Sequence, residues 1–474
     1  MTDTATITGG WRELLGARYL RTSVVLAGGV ALYATNEFLT TSLLPNTVAE
    51  IGGSRLYAWV TTLYLVGSVV AATMVNPMLL RMGARKSYLM GLAVFGVASL
   101  VCGAAPSMEI LIAGRALQGV AGGLLAGLGY AVINAALPRW LWTRGSALVS
   151  AMWGVATVVG PATGGLFAQF GLWRWAFVAM AILTGLMAML VPVALAAGRA
   201  DPSADVPAMK VPVWSLVLIG AAALAVSVAE IPHNILATTG LLAAGIVLVG
   251  LFVIVDWRMH AAVLPPSVFG PGPLKWIYLT MGVLMAAAMV DTYVPLFGQR
   301  LAHLTPVAAG FLGAALAVGW TVSEIVSASL QSPRAIGRVI AVAPMVVASG
   351  LALGAVARRT DASAWTAPLW AVALLVAGVG IGMAWPHLSV HAMASVNDPA
   401  ESGAAAAAIN TVQLMSAAFG AGLAGVVVNT AKGGDVMAAH WLFTVFTLLS
   451  AAGVAVSYGA TRGIRRAHRV DSLG

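Results

Sequence analysis

An all-helical protein that crosses a membrane fourteen times is the fold class this sequence predicts. Three observations predict it: an apolar composition, the spacing of the apolar runs, and the placement of the basic residues. Of 474 residues, 60% fall in the apolar set and 9% are charged, against about 25% charged in an average soluble protein. No water-facing surface can be built from so few charges, so the bilayer is the solvent for most of the chain.

About 20 apolar residues cross a hydrocarbon core of about 30 Å. On that criterion the first six spans lie near 22–47, 56–79, 87–105, 109–136, 146–168 and 176–198. The polar stretch 199–210, with Asp201, Pro202, Asp205 and Pro207, interrupts the pattern before two spans near 213–230 and 237–256. A loop marked by Pro265, Pro266, Pro271 and Pro273 precedes six more, near 276–298, 305–330, 339–357, 366–387, 404–428 and 437–460. The expected organisation is an N-terminal six-helix bundle over 1–198, a linker with two extra helices over 199–275, and a C-terminal six-helix bundle over 276–474.

Orientation follows from the basic residues, because Lys and Arg concentrate in cytoplasmic loops. With fourteen spans and a cytoplasmic amino terminus, 18 of the 25 Lys and Arg fall inside and six outside, leaving Arg115 within a span. The formal charge of +9 is therefore a topology signal and does not point to nucleic acid. Both termini are expected in the cytoplasm of a cell whose cytoplasmic membrane holds the protein. The first 21 residues contain Arg12, Glu13, Arg18 and Arg21 and no apolar run, so they do not read as a cleavable leader. The single cysteine, Cys102, excludes an intrachain disulfide and a cysteine-based zinc cluster. No metal or cofactor is expected.

A faint internal repeat joins the two blocks. The loop after the second span reads Arg81-Met-Gly83-Ala-Arg85-Lys86, and its counterpart in the last block reads Arg334-Ala-Ile-Gly337-Arg338. Repeated halves are characteristic of transporters that bind substrate at mid-membrane and rock about it.

Ionisable residues inside spans mark candidate sites, since each costs roughly 2.5–3.5 kcal/mol at a helix centre. Glu37 lies midway along the first span beside Asn36, with Thr40 and Thr41 one turn on. Helical spacing groups these four as a stripe expected to face a cavity. Burial disfavours the charged form of a carboxyl, which suits such a group to taking up and releasing a proton. Asp291 sits in Asp291-Thr-Tyr293-Val-Pro295, where Pro295 withholds one helical hydrogen bond. Glu324 follows Trp320 by four residues and shares its face. Arg115 is followed on one face by Gln118, Gly119 and Gly122, and needs a partner that spacing alone does not identify. Glu37, Arg115, Asp291 and Glu324 are the candidate proton-coupling residues. Asn36, Thr40, Gln118, Tyr293, Trp320, Asn410 and Gln413 are the candidate substrate contacts, against the alternative that such amides and tryptophans join helices or sit at interfaces.

Several motifs carry a resemblance. Arg115-Ala-Leu-Gln118-Gly119-Val-Ala-Gly122 resembles the fourth-helix motif of the major facilitator superfamily, and Arg81 to Lys86 resembles its second-to-third-helix loop. Gly160-Pro161-Ala-Thr-Gly164-Gly165 is similar to the Gly-Pro-x-x-Gly-Gly end of the drug:proton antiporter motif. Asn36 through Pro45, Trp173-Arg174-Trp175 and the six, two, six layout resemble the fourteen-helix branch of those antiporters. This chain has Asn36 where that branch carries an Asp, with Glu37 adjacent, and Leu80 where the loop motif carries another.

The resemblance implies a major facilitator fold and a monomeric exporter of lipophilic or amphipathic compounds, driven by proton antiport through alternating access. It implies conformational roles for Arg81, Gly83, Arg85, Gly160, Pro161, Gly164 and Gly165. The expected partners are a small lipophilic substrate, protons and membrane lipids, with an accessory protein as a further candidate. The alternatives are a lipid exporter of the same fold and a proton-independent facilitator. A primary pump lacks its Gly-x-x-x-x-Gly-Lys-[Ser/Thr] loop and an intramembrane hydrolase its His-Glu-x-x-His or Gly-x-Ser-x-Gly, so no enzyme is expected.

Overall fold

The computed structural model describes residues 11–195, 212–229, 231, 234–259, 262–356, 366–396 and 402–471. Within bilayer hydrocarbon every backbone amide must be satisfied inside the protein, which leaves helices as the spanning element for segments this apolar. The helices are α1 (Trp11–Leu14), α2 (Leu20–Ile51), α3 (Trp59–Gly103), α4 (Met108–Ala131), α5 (Ile133–Ala136), α6 (Trp142–Gln169), α7 (Trp173–Ala194), α8 (Val213–Val228) and α9 (Ile235–Arg258). After them come α10 (Leu274–Ala288), α11 (Val294–Leu301), α12 (Pro306–Ser327), α13 (Pro333–Val356), α14 (Thr366–Ala394), α15 (Ser402–Thr430) and α16 (Gly434–Asp471).

Among the described residues, twelve stretches are long and apolar enough to cross a bilayer. Two expected spans are not among the twelve, for different reasons. Helix α2 has ample length at 32 residues, but its stripe of Asn36, Glu37, Thr40 and Thr41 lowers its hydropathy. Helix α8 is apolar but has 16 residues, about 24 Å of rise. The expected boundary at 198/199 lies outside the described residues, as do Arg199, Lys210, Arg358 and Arg359.

Three local departures from the expected spans are present, and two of them have a clear cause. The basic loop at 80–86 contracts to a kink: the second and third expected spans are two helical arms of α3 that part at Gly83, its single non-helical residue, at φ 72°, ψ 167°. That backbone is open to glycine and strained for any side chain. The span expected at 276–298 breaks into α10, a 3₁₀ turn over Met289–Tyr293 and α11. Pro295 cannot donate to the Asp291 carbonyl one turn back, so the chain tightens there. The span expected at 109–136 is interrupted at Val132, between α4 and α5.

Packing follows the expected halves. Helix α3 lies along α4 and α7, and α2 along α6; in the other half α12 and α13 lie along α14, and α10 along α15 and α16. Across the halves, α6 packs on α12 and α15 on α3, while α8 pairs with α9 and rests on both α15 and α3. The cross-half contacts gather toward the end opposite the termini. A Cβ on Gly165 of α6 would lie 2.5 Å from the Val307 Cα of α12, so only glycine permits that approach. At the same end Asn429 donates to the Arg55 carbonyl at 3.0 Å, and the Tyr57 and Tyr293 rings stack at 4.6 Å.

Candidate functional site

Two polar assemblies start from neighbouring residues of α2. The first is built around Arg115 of α4, which is 1% exposed. Its guanidinium donates to Asn36 Oδ1, to Gln118 Oε1 at 2.9 Å and, through Nε, to the Val60 carbonyl at 3.4 Å. It also lies 3.9 Å from the centre of the Tyr64 ring, a cation–π contact that strengthens when desolvated. Gln118 passes the network on by donating to Ser99 Oγ at 2.9 Å, and Cys102 Sγ lies 3.5 Å from its Oε1.

The backbone geometry that permits this assembly is local. A Cβ on Gly119 would lie 2.1 Å from the Tyr64 carbonyl oxygen, so α3 and α4 touch backbone to backbone there. Ser68 Oγ donates to the Gly119 carbonyl at 3.1 Å, and Tyr64 Oη to the Tyr33 carbonyl at 2.9 Å. The glycines of the fourth-helix motif thus bring Tyr64 within reach of Arg115. The partner left open by the sequence is an amide oxygen, a carbonyl and a ring face; among the described residues the ion pairs are Arg174–Glu50 and Arg300–Asp435.

The second assembly is a cavity of about 30 Å³ between the halves, lined by Glu37, Thr41, Thr61, Pro161, Asp291 and Thr292 among others. That volume holds roughly two water molecules. Glu37 comes from α2 and Asp291 from the 3₁₀ turn of the opposite half. Among the described residues neither carboxyl group is hydrogen-bonded or ion-paired. The Thr41 hydroxyl is spent on the Glu37 carbonyl at 3.0 Å, and Ser42 on the Phe38 carbonyl at 3.2 Å. The cavity therefore offers two carboxyl groups and a few hydroxyl oxygens, a set fitted to holding and passing a proton through water.

The other expected site residues are distributed as follows. Asn36, Thr40 and Gln118 are buried in the first assembly and do not line the cavity, so the stripe on α2 splits: Asn36 and Thr40 turn inward, Glu37 and Thr41 toward the other half. Tyr293 is buried between Tyr57 and Phe297. Trp320 donates to Glu324 at 2.9 Å and packs against Trp385, away from the central cavity. Gln413 is half-buried and Asn410 exposed on α15. Arg81 is exposed and Arg85 half-buried on either side of Gly83. Pro161 lines the cavity, Gly160 and Gly164 face Phe38 and Leu39 of α2, and Gly165 faces α12. Trp173 and Arg174 both bind Glu50, tying α7 to the end of α2. Tyr64, Thr61 and Tyr57 escaped sequence reasoning, because a hydroxyl or a ring within an apolar helix carries no charge cost to betray it.

Comparison with known proteins identifies the family. The family model described as Major Facilitator Superfamily matches residues 26–421. A probable multidrug-efflux transporter of Mycobacterium tuberculosis is 74% identical over 99% of this chain and 100% of its own length. The multidrug transporter protein MdtP of Bacillus subtilis is 25% identical over 88% of this chain and 77% of its own length. Among solved structures, the inward-open xylose transporter XylE from E. coli superposes with a TM-score of 0.60 at 13% identity, covering 91% of this chain and 94% of that one. At that identity the likeness concerns the fold alone.

Proposed function

The chain belongs to the major facilitator superfamily, a multi-pass membrane transporter and no enzyme, and from that membership we propose that it exports lipophilic or amphipathic drug-like compounds in exchange for protons. The printed descriptions of the relatives, a probable multidrug-efflux transporter and a multidrug transporter, support the substrate class. The observation that carries the proton coupling is the shared cavity: Glu37 and Asp291, one from each half, line the same small space, with no hydrogen bond or ion pair to either carboxyl group among the described residues.

In this reading the two halves, 1–198 and 276–474, rock about that cavity, with both termini in the cytoplasm. A proton entering from outside neutralises Glu37 or Asp291, lowers the cost of closing the seam around the pair, and leaves when the cavity opens inward. Substrate and proton then compete for one desolvated space. Arg115 acts as a fixed anchor that holds α2 against α4, so that Glu37 stays aimed at the seam. One charge moved through 100 mV supplies about 2.3 kcal/mol, which sustains about a fiftyfold gradient of a neutral compound. Contacts such as Gly165 on Val307 would have to separate for the outer end to open.

The test is transport into liposomes holding the purified protein, with a pH gradient imposed on a panel of lipophilic cations, neutral drugs and labelled lipids. Gradient-driven movement of drugs that disappears in Glu37→Gln is the expected result. Movement of labelled lipid without drug would replace this reading with the lipid-exporting one, and drug movement unaffected by the gradient would replace it with a facilitator.

A further inference from the structure

Away from the centre, helices α8 and α9, the loop over 262–273 and the C-terminal half enclose a second cavity of about 670 Å³. That size is ordinary for a small-molecule site, which spans about 300–1,000 Å³. Its walls are apolar, with Phe252 from α9, Val268 and Phe269 from the loop, and Val412, Met415 and Phe419 from α15. The charged residue on its lining is Lys275, at the start of α10. The Tyr278 hydroxyl, also on the lining, is already committed to the Ala405 carbonyl at 2.9 Å.

The cavity is a built feature, since a buried charge fastens one of its walls. Asp256 is 1% exposed, and its carboxylate accepts the amides of Val263 at 2.7 Å and Leu264 at 2.9 Å. A carboxylate is retained out of water when it is this fully hydrogen-bonded, and here the bonds pin the loop against the end of α9. Lys275 Nζ donates to the Gly270 carbonyl of that loop at 3.3 Å, which leaves it further protons to give. The mouth opens sideways between α9 and α10: Val253 and Leu279 both line the cavity, and both are exposed at 40% and 52%. Lys275, Leu279 and Gly282 recur at helical spacing, so the amine stands at one end of the same face that forms the mouth.

We propose that this cavity holds an acyl chain of an anionic phospholipid taken from the surrounding leaflet, with Lys275 receiving the head-group phosphate. The chemistry of the walls decides between occupants. A drug-like ligand is oriented by several placed polar groups, whereas this lining is mostly apolar with Tyr278, Thr411 and Ser416 as its neutral polar side chains, and a lipophilic cation would meet Lys275 as a like charge. A mostly apolar volume with one cation at its lateral mouth matches a fatty chain bearing a negative head. The extra hairpin then serves as the outer wall of a lipid site. The inference needs the membrane fold alone and stands whether or not transport is coupled to protons.

The test uses the full chain in detergent, stripped of co-purified lipid and titrated with phosphatidylglycerol or with phosphatidylcholine of the same chains, with bound lipid counted by native mass spectrometry. One phosphatidylglycerol should be retained at about tenfold lower concentration than phosphatidylcholine, an advantage of about 1.4 kcal/mol. Lys275→Gln should bring the two lipids level. Val253→Trp should block the mouth to both, with Leu279→Trp as its counterpart on the other lip should either variant fail to fold. Ile246→Trp, on the exposed face of α9 and outside the lining, should bind as the unaltered chain does. Equal retention of the two lipids by the unaltered chain overturns the proposal, as does phosphatidylglycerol binding that survives both Lys275→Gln and a blocked mouth. One-for-one displacement of phosphatidylglycerol by tetraphenylphosphonium would make the cavity a vestibule for cationic substrates and overturn it equally.

Discussion

Asn36 and Glu37 are adjacent on α2 yet belong to opposite kinds of environment. Asn36 enters a network in which an arginine, two amides, a carbonyl, a hydroxyl and a ring face are bound to one another in the core of one half. Glu37 faces a cavity on the seam between halves, together with Asp291 and without a hydrogen-bond partner among the described residues. Low dielectric strengthens a closed network and penalises an open charge. The first environment therefore keeps one protonation state and one geometry, while the second rewards neutralisation whenever water is squeezed out. The difference teaches that buried polarity in this protein is divided between groups that hold and groups that change.

The strongest break of that contrast is the removal of a changing group. Glu37→Gln and Asp291→Asn are each expected to abolish gradient-driven export while the purified protein keeps its unfolding temperature; a variant that still exports would assign the proton site to the other carboxyl. The double variant Asn36→Asp, Glu37→Gln sharpens the point. It returns a carboxylate to α2 but beside Arg115, where it would stay charged, so export should remain absent. Recovered export in that background would show that the Arg115 network can exchange protons too.

Next in size is Arg115→Ala, which strips a partner from Asn36 and Gln118 and should cost about 1–3 kcal/mol, read as a lower unfolding midpoint in detergent. Arg115→Lys should recover part of that loss, since an ammonium keeps the charge but lacks the planar fork. Gly165→Val acts on the seam without touching a charge. Its Cβ has no room against Val307, so thiol-reactive probes at engineered cysteines near 161 and 310 should gain access from the side opposite the termini. The smallest effect belongs to Arg174→Ala, at the half-exposed pair with Glu50: about 0–1 kcal/mol in the same unfolding assay, as for other surface pairs.

How much of this was legible beforehand varies by the physics involved. Spans are one-dimensional, so apolar runs gave most helices directly, and the charge cost of Glu37, Asp291 and Arg115 singled them out within those runs. The sharing of one cavity by Glu37 and Asp291 depends on how α2 meets α11 and α12, for which the 253 intervening residues of sequence carry no rule. Helical spacing was too coarse for the stripe on α2: adjacent side chains diverge by about 100°, which suffices to send Asn36 into the core and Glu37 into the seam. Tyr64 beneath Arg115 and Asp256 beneath its loop were invisible because their partners are a guanidinium and backbone amides supplied by other segments. The break expected at 80–86 is present but narrowed to Gly83, because a single positive-φ glycine can do what spacing assigns to several residues.

That glycine has a practical corollary. Arg81, Arg85 and Lys86 give trypsin three places to cut within six residues of a membrane-protein surface, yet a protease cleft accepts substrate as an extended strand. With helix up to one side of Gly83 and from the other, no such strand exists. Limited digestion of sealed or inverted vesicles should leave 59–103 as one fragment, and insertional libraries should return few survivors between 80 and 86, although that segment carries three basic residues.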